Sequence, residues 1–207
     1  MQKLLNEWRK YLRETADNLP SFSYSQAAID LIKHYESFRS KPYDDKCPPN
    51  KPRGPRGKGC KGTATIGYGT TKYPNGKKVT LQDKPVTEKQ AERYLIHSMG
   101  FIIQGINKFM ATKEKVDKEG NPIILNQNQI DALTSAGYNV GRSRLLKSQL
   151  YTVATRDPNN PKIRVLFKTL NTPKEHKKFP GLMKRRMAEA DLYFKPVKSI
   201  NEKKKAC

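Results

Sequence analysis

Apolar residues recur at helical spacing over most of the chain. One such stripe predicts a helix over residues 23–39, because the proline at position 42 disfavours helical backbone just before it. Thr87-Glu-Lys-Gln90 has the capping-box pattern of a helix start, and Asn126 can cap a helix that stops near Gly141. Three more helices are predicted over residues 145–154, 163–170 and 181–194. Most of the chain is therefore expected to be helical.

One short region alternates as a strand does. In Thr63-Ala-Thr-Ile-Gly-Tyr68 every second residue is apolar, and Asn75-Gly76 is a strong hairpin signal. The sheet is therefore small, and the predicted fold class is α+β. We expect a small hairpin-bearing lobe around residues 41–82 and a larger helical lobe, joined by the long helix that starts near Thr87. A cleft between two such lobes is the usual place for a ligand.

Three segments differ from this domain in composition. Residues 1–20 are predicted to form an amphipathic N-terminal helical extension, with Leu4, Trp8 and Leu12 on one face. The insert at residues 46–61 is cationic and almost free of apolar residues, and the basic tail at residues 196–207 is expected to be disordered. These boundaries leave residues 21–195 as the main domain.

The charge of the chain indicates an anionic partner. It has 41 Lys and Arg against 19 Asp and Glu, a formal net charge of +22. Nucleic acid, an acidic membrane surface and an acidic polysaccharide all fit that excess. No apolar run is long enough for a transmembrane helix, and the N-terminal segment lacks the apolar core of a signal peptide.

The cysteines and histidines predict neither a metal site nor a cofactor. The chain has three cysteines, and Cys47 and Cys60 could either bridge the insert or remain free thiols. His34, His97 and His176 show no ligand spacing with one another or with the cysteines.

Two carboxylates lie close together in the sequence where a helix gives way to a turn. Glu36 is at the edge of an apolar stripe, and Asp45 follows it by only nine residues. Burial beside apolar neighbours favours the protonated form of a carboxyl group, whereas a polar turn favours the ionised form. Such an unequal pair is what hydrolysis of a glycosidic bond requires.

The chain resembles the phage-type lysozymes, or endolysins, of glycoside hydrolase family 24. Glu36, Asp45 and Thr65, the last within Thr65-Ile-Gly-Tyr-Gly69, match the family's signature. The resemblance continues in Ile130-Asp-Ala-Leu-Thr-Ser-Ala-Gly-Tyr-Asn-Val-Gly141 and in Gly181-Leu-Met-Lys-Arg-Arg-Met-Ala-Glu189, and it spans residues 23–194. The chain departs from the family in the insert at residues 46–61 and in Thr70, where the family often has His.

The resemblance implies a lysozyme-like catalytic domain over residues 21–195. It implies cleavage of the β-1,4 bond between N-acetylmuramic acid and N-acetylglucosamine, with inversion at the sugar carbon. Glu36 would be the general acid, and Asp45 and Thr65 would position water, with Asp44 as an alternative to Asp45. The expected substrate-binding residues are Asn139, Gly141, Asp44 and Arg186, and any of Arg142, Arg144, Arg185 and Arg186 could bind glycan or pair with Glu36.

Two other activities fit parts of the sequence. A lytic transglycosylase would need the acid but not the water-positioning pair. A non-catalytic, cationic lysozyme-like protein could bind cell wall or nucleic acid, although no nucleic-acid-binding motif is present. The leading interpretation predicts peptidoglycan as the partner, no nucleic acid, and a monomer. It places the protein in the host bacterial cytoplasm and, on lysis, in the periplasm or cell wall; association with a virus particle is also compatible.

Overall fold

The computed structural model describes residues 24–47, 62–112, 123–172 and 179–197, together with Glu175 and Lys177. The predicted N-terminal helix, most of the insert and nearly all of the basic tail lie outside these residues. Seven helices and two strands are defined within them: α1 (Gln26–Glu36), β1 (Arg39–Asp44), β2 (Ala64–Gly67), α2 (Glu88–Thr112), α3 (Gln127–Val140), α4 (Arg142–Leu146), α5 (Gln149–Ala154), α6 (Lys162–Lys168) and α7 (Gly181–Tyr193).

The two strands form an antiparallel sheet. Tyr43 pairs with Thr65 and Asp44 with Ala64, and an irregularity interrupts the register between Arg39 and Tyr43. The Asn75-Gly76 turn is present as predicted, with Lys72 and Lys78 facing each other across it in an isolated bridge. The partner of β2 is therefore β1, the segment that follows Glu36.

Helix α2 links two apolar cores. Its first half contributes Ala91, Leu95 and Met99 to the core of the small lobe, and its second half contributes Ile102 and Ile106 to the core of the helical lobe. With 25 residues, α2 is about 37 Å long, enough to span both lobes. The prediction of two lobes joined by the long helix that starts near Thr87 is therefore confirmed.

Two helix starts follow the predicted capping chemistry. The backbone N–H of Thr87 donates to Gln90 Oε1 at 2.8 Å, and the backbone N–H of Gln90 donates to Thr87 Oγ1 at 3.2 Å. Asn126 and Gln129 exchange the same pair of bonds at the start of α3. Each pair satisfies donors that a helix start leaves without partners.

Two predicted elements were wrong in their boundaries. The first helix does not continue to residue 39, because Ser37 has a φ of 55° and ends α1 at Glu36. The chain then enters β1, so Pro42 lies within a strand rather than closing a helix. The helix predicted over residues 145–154 is two short helices, α4 and α5, with Ser148 capping the second by accepting from the backbone N–H of Tyr151.

Candidate active site

Glu36 is the last residue of α1 and lies where the chain turns away from the helix. The backbone N–H of Ser37 still donates to the Lys33 carbonyl at 3.3 Å, but its positive φ directs the chain into β1. Lys33, one turn earlier, lies 3.1 Å from Glu88 and 2.8 Å from Glu92 on α2. These ion pairs hold the last turn of α1 against α2, and they therefore help to position Glu36.

Arg185 of α7 holds one oxygen of the Glu36 carboxyl group. Its Nη1 donates to Glu36 Oε1 at 2.6 Å, while its Nη2 donates to the Ser135 carbonyl of α3 at 3.3 Å. The side chain of Arg185 is only 3% exposed and that of Glu36 is 21% exposed. Glu36 is thus half-buried, as expected from the sequence, and it is oriented by a buried guanidinium group.

Glu189 lies behind this pair and is completely buried. Its Oε1 accepts from Arg185 Nε at 3.1 Å and from Ser135 Oγ at 2.8 Å. Its Oε2 lies 3.1 Å from Nη1 of Arg186, an ion-pair contact whose angle is outside hydrogen-bond geometry. Burial raises the pKa of Glu189 above its usual value, and the two guanidinium groups oppose that shift.

Asp44 and Asp45 have different environments in the turn that ends β1. Asp44 is buried, and its carboxylate accepts from the backbone N–H groups of Lys46 at 2.9 Å and Gly62 at 3.2 Å. Asp45 is exposed, and its Oδ1 accepts from the backbone N–H of Thr63 at 2.7 Å. Asp44 therefore closes the turn, while Asp45 faces solvent.

Thr65 lies beneath the same turn. It is 4% exposed, and its hydroxyl donates to the Thr63 carbonyl at 3.0 Å. That carbonyl also accepts from the backbone N–H of Asp45 at 3.1 Å. Thr65 thus contacts Asp45 indirectly, through Thr63.

A cleft of about 750 Å³ brings the predicted pair of acids together. Glu36 and Asp45 both line it, with Asn139 and Arg185. A second groove of about 350 Å³ is lined by Gly69, Tyr138 and Gly141 among others. The two grooves meet at the C-terminal end of α3. There Asn139 and Val140 line the cleft, and their neighbours Tyr138 and Gly141 line the second groove.

Gly69 brings the backbone close to Glu36 at this junction. A Cβ atom placed on Gly69 would lie 3.3 Å from Glu36 Oε2, and the residue has a φ of 91°, which favours glycine. Oε2, the carboxyl oxygen that Arg185 does not hold, therefore lies at the side of the cleft where the two grooves meet.

Two of the predicted substrate-binding residues, Asp44 and Arg186, are buried and line neither groove. Arg186 is fully buried and contacts the cleft lining through Asn139, to whose Oδ1 its Nη2 donates at 2.9 Å. Asp44 is buried and bound to backbone N–H groups, as described above. Arg186 therefore supports a lining residue and Asp44 closes the turn that carries Asp45, whereas Asn139 and Gly141 line the grooves themselves.

Sequence reasoning overlooked two carboxylates here. Glu189 ends a motif in the sequence, and its spacing of four from Arg185 and three from Arg186 places all three on one face of a helix. Glu175 lines the same cleft as Glu36, 3.3 Å from Arg144. That ion pair and bonds from Thr172 lower the pKa of Glu175 to about 2. No sequence signal distinguished Glu175 from an ordinary surface residue.

Neither a metal centre nor a membrane span is found in the described part of the chain. No group of three or more His, Cys, Asp or Glu residues there could hold a metal ion. None of the helices defined there is both long and apolar enough to cross a membrane. Cys47 is disulfide-bonded rather than a free thiol, and Cys60, one of the two other cysteines of the chain, lies outside the described residues.

Comparisons with known proteins agree with this architecture. The chain is 32% identical to the endolysin of Bacillus phage PZA over 126 residues, which cover 61% of this chain and 38% of that protein. It is 31% identical to the endolysin of Bacillus phage B103 over 169 residues, covering 82% of this chain and 53% of that one. The chain thus spans about half, or less, of the length of these relatives.

A solved structure shows the same fold. The endolysin from Escherichia coli O157:H7 phage FAHEc1 superposes with a TM-score of 0.61 and 24% identity, covering 86% of this chain and 96% of that chain. The lysozyme-like α+β fold predicted from the sequence is therefore confirmed. Residues 33–189, about three quarters of the chain, match the Phage lysozyme family and contain every candidate site residue named above. The chain belongs to the phage lysozyme family.

Proposed function

We propose that the chain hydrolyses peptidoglycan by cutting the β-1,4 bond between N-acetylmuramic acid and N-acetylglucosamine. The observation that carries the proposal is the cleft that Glu36 and Asp45 line together, one half-buried and bound to a guanidinium group, the other exposed. Family membership and the endolysin names of the relatives support the same activity. In this role the protein acts on the bacterial cell wall during host lysis.

Glu36 acts as the general acid. Arg185 holds Oε1, so a proton can be carried on Oε2 while Oε1 continues to accept from the guanidinium group. Oε2 lies beside Gly69, where the two grooves meet. A glycan chain lying through both grooves would place a glycosidic oxygen near Oε2. Glu36 then gives its proton to that oxygen as the bond to the sugar carbon breaks.

Asp45 orients the attacking water and takes its proton. Its Oδ1 is bound to the backbone N–H of Thr63, and among the described residues no donor is bound to Oδ2. That oxygen can accept a hydrogen bond from a water molecule on the opposite face of the sugar. The water's oxygen bonds to the sugar carbon and its proton passes to Asp45, which gives inversion. Thr65 orders the peptide unit that holds Asp45 and is the second residue proposed to position that water.

Substituting the acid tests the proposal. Glu36→Gln keeps the size of the side chain but has no proton of suitable acidity, so clearing of a peptidoglycan zymogram should be lost. Asp30→Asn is a matched control, because Asp30 is an exposed carboxylate on the same helix, bonded to Gln26. We expect Asp30→Asn to clear peptidoglycan as the unchanged chain does. Full clearing by Glu36→Gln would refute the assignment.

A further inference from the structure

The two grooves that meet beside Glu36 differ in charge. The cleft that contains Glu36 is also lined by the carboxylates of Asp45 and Glu175. The two arginines that line it are each paired with one of its carboxylates, Arg185 with Glu36 and Arg144 with Glu175. Among the described residues that line the second groove none is acidic, and the ionisable groups there include Lys72, His97 and Arg142. An anionic part of a substrate that occupies both grooves would therefore be attracted to the second one.

Arg142 is held in place in this second groove. Its Nη1 donates to the Phe101 carbonyl of α2 at 3.3 Å, and its aliphatic carbons lie against Gly105. A Cβ atom on Gly105 would lie only 2.9 Å from Arg142 Cδ, so the absence of a side chain there leaves room for the arginine. The side chain is exposed and, within the described ranges, makes no ion pair. These contacts orient the Arg142 side chain along α2, and its charge is available to a ligand.

The rest of the groove fits a sugar that carries an acidic substituent. Tyr73, Phe101 and Tyr138 offer aromatic surface, and Thr71 and Ser98 offer hydroxyl groups. Aromatic surface with a few polar groups is what pockets for small polar ligands generally present. In peptidoglycan the N-acetylglucosamine units are neutral, whereas the muramic acid units carry lactyl-linked peptides with free carboxylates. The muramoyl units are therefore the part of the substrate that can offer a carboxylate to Arg142.

We infer that Arg142 forms a subsite for the carboxylates of the muramoyl peptide, next to the position where the glycosidic bond is cut. This inference rests on the proposed function and adds a requirement on the substrate: a peptide-bearing muramoyl unit lies on the Arg142 side of Glu36. A guanidinium group forms a charge-assisted bond with a carboxylate, and an amide in place of the carboxylate cannot accept it with the same strength.

The test compares two forms of one substrate. Soluble peptidoglycan fragments are used either unmodified or after their free carboxylates have been converted to methylamides with a carbodiimide. The values of kcat/KM are measured at one ionic strength for the unchanged chain, for Arg142→Gln and for Lys147→Gln. Lys147 is a matched control, because it is an exposed cation directly after α4 that lines neither groove.

Arg142→Gln should lower kcat/KM about tenfold on unmodified fragments and no more than about twofold on the methylamides. Lys147→Gln should have the same kcat/KM as the unchanged chain on both substrates. That result would show that losing one positive charge from the chain does not by itself explain the effect of Arg142→Gln. Arg142→Lys should retain part of the preference for carboxylates. Equal losses by Arg142→Gln on both substrates, or no loss on either, would overturn the inference. If the unchanged chain hydrolysed neither substrate, the proposed function itself would fail.

Discussion

Replacing Glu189 with glutamine tests whether a buried charge network holds the proposed acid in place. Glu189 is completely buried and has contacts at 3.1 Å with Arg185, 2.8 Å with Ser135 and 3.1 Å with Arg186. Glutamine has nearly the same shape, but its amide NH₂ would face one of the two guanidinium groups. The substitution therefore removes a negative charge from between two buried positive charges without opening a cavity.

The expected loss of stability is large. Removing one partner of a buried ion pair lowers the free energy of unfolding by about 3–5 kcal/mol. For a chain of this size each kcal/mol lowers Tm by about 2–4 °C, so we expect a decrease of about 6–20 °C. Domains are typically stable by about 5–15 kcal/mol, and the variant should therefore remain folded at 25 °C. Thermal unfolding followed by circular dichroism measures the change.

Ser135→Ala is the matched control for this variant. It removes a neutral donor from the same carboxylate oxygen and leaves both ion pairs intact, so the expected loss is about 1 kcal/mol, or about 2–4 °C in Tm. A second measurement is kcat for peptidoglycan hydrolysis. Glu189 holds Arg185, which in turn binds Oε1 of Glu36, so Glu189→Gln should lower kcat while Ser135→Ala changes it little.

A small effect would refute this reasoning. If Glu189→Gln lowered Tm by 2 °C or less and left kcat unchanged, Glu189 would be neutral in the folded chain. Burial would then raise its pKa past neutral pH despite the two guanidinium groups, and Glu189 would not hold Arg185 in place for Glu36.

Two further predictions concern the cleft. Gly69→Ala and Gly76→Ala should each lower Tm by about 2–8 °C, because both positions have a positive φ, of 91° and 87°, and the strain is about 1–2 kcal/mol. Only Gly69→Ala should also lower kcat about tenfold or more, because its Cβ would lie 3.3 Å from Glu36 Oε2, whereas a Cβ on Gly76 would lie 3.8 Å from Lys72 Cε. Equal kcat values for the two variants would contradict this. The lowered pKa of Glu175 means that its ionised form contributes stability that is fully present above about pH 4.5 and is lost as the pH falls to about 2. Glu175→Gln should lose less stability than the unchanged chain between pH 5 and pH 2 in denaturant titrations, and identical losses would show that the ion pair with Arg144 contributes nothing.

The local elements could be predicted because their signals are local. The capping pairs at the starts of α2 and α3 lie within four consecutive residues, and the apolar stripe of α2 repeats with helical period. The short spacing of Glu36 and Asp45 also made their meeting in one cleft predictable. In each case the residues that decide the structure are close together in sequence.

The remaining features depend on contacts between distant segments. The segment that forms β1 carries a proline and no clear alternation, and it is a strand because β2 pairs with it. Arg185 reaches Glu36 across 149 positions of sequence, and the sequence left four arginines as equal candidates for that contact. The sequence predicts Arg186 as a substrate-binding residue, but α7 packs its side chain against α3 at Asn139, inside the protein.

Analysis of the products tests most directly the claim that Glu36 and Asp45 hydrolyse a glycosidic bond. Purified peptidoglycan is digested in water enriched in ¹⁸O by the unchanged chain and by Glu36→Gln, and the released fragments are examined by mass spectrometry. The account predicts muramic acid ends that have each gained one labelled oxygen, and no fragments from Glu36→Gln. Anhydro ends without the label would indicate a transglycosylase, and labelled fragments from Glu36→Gln at an undiminished rate would contradict the assignment of the acid.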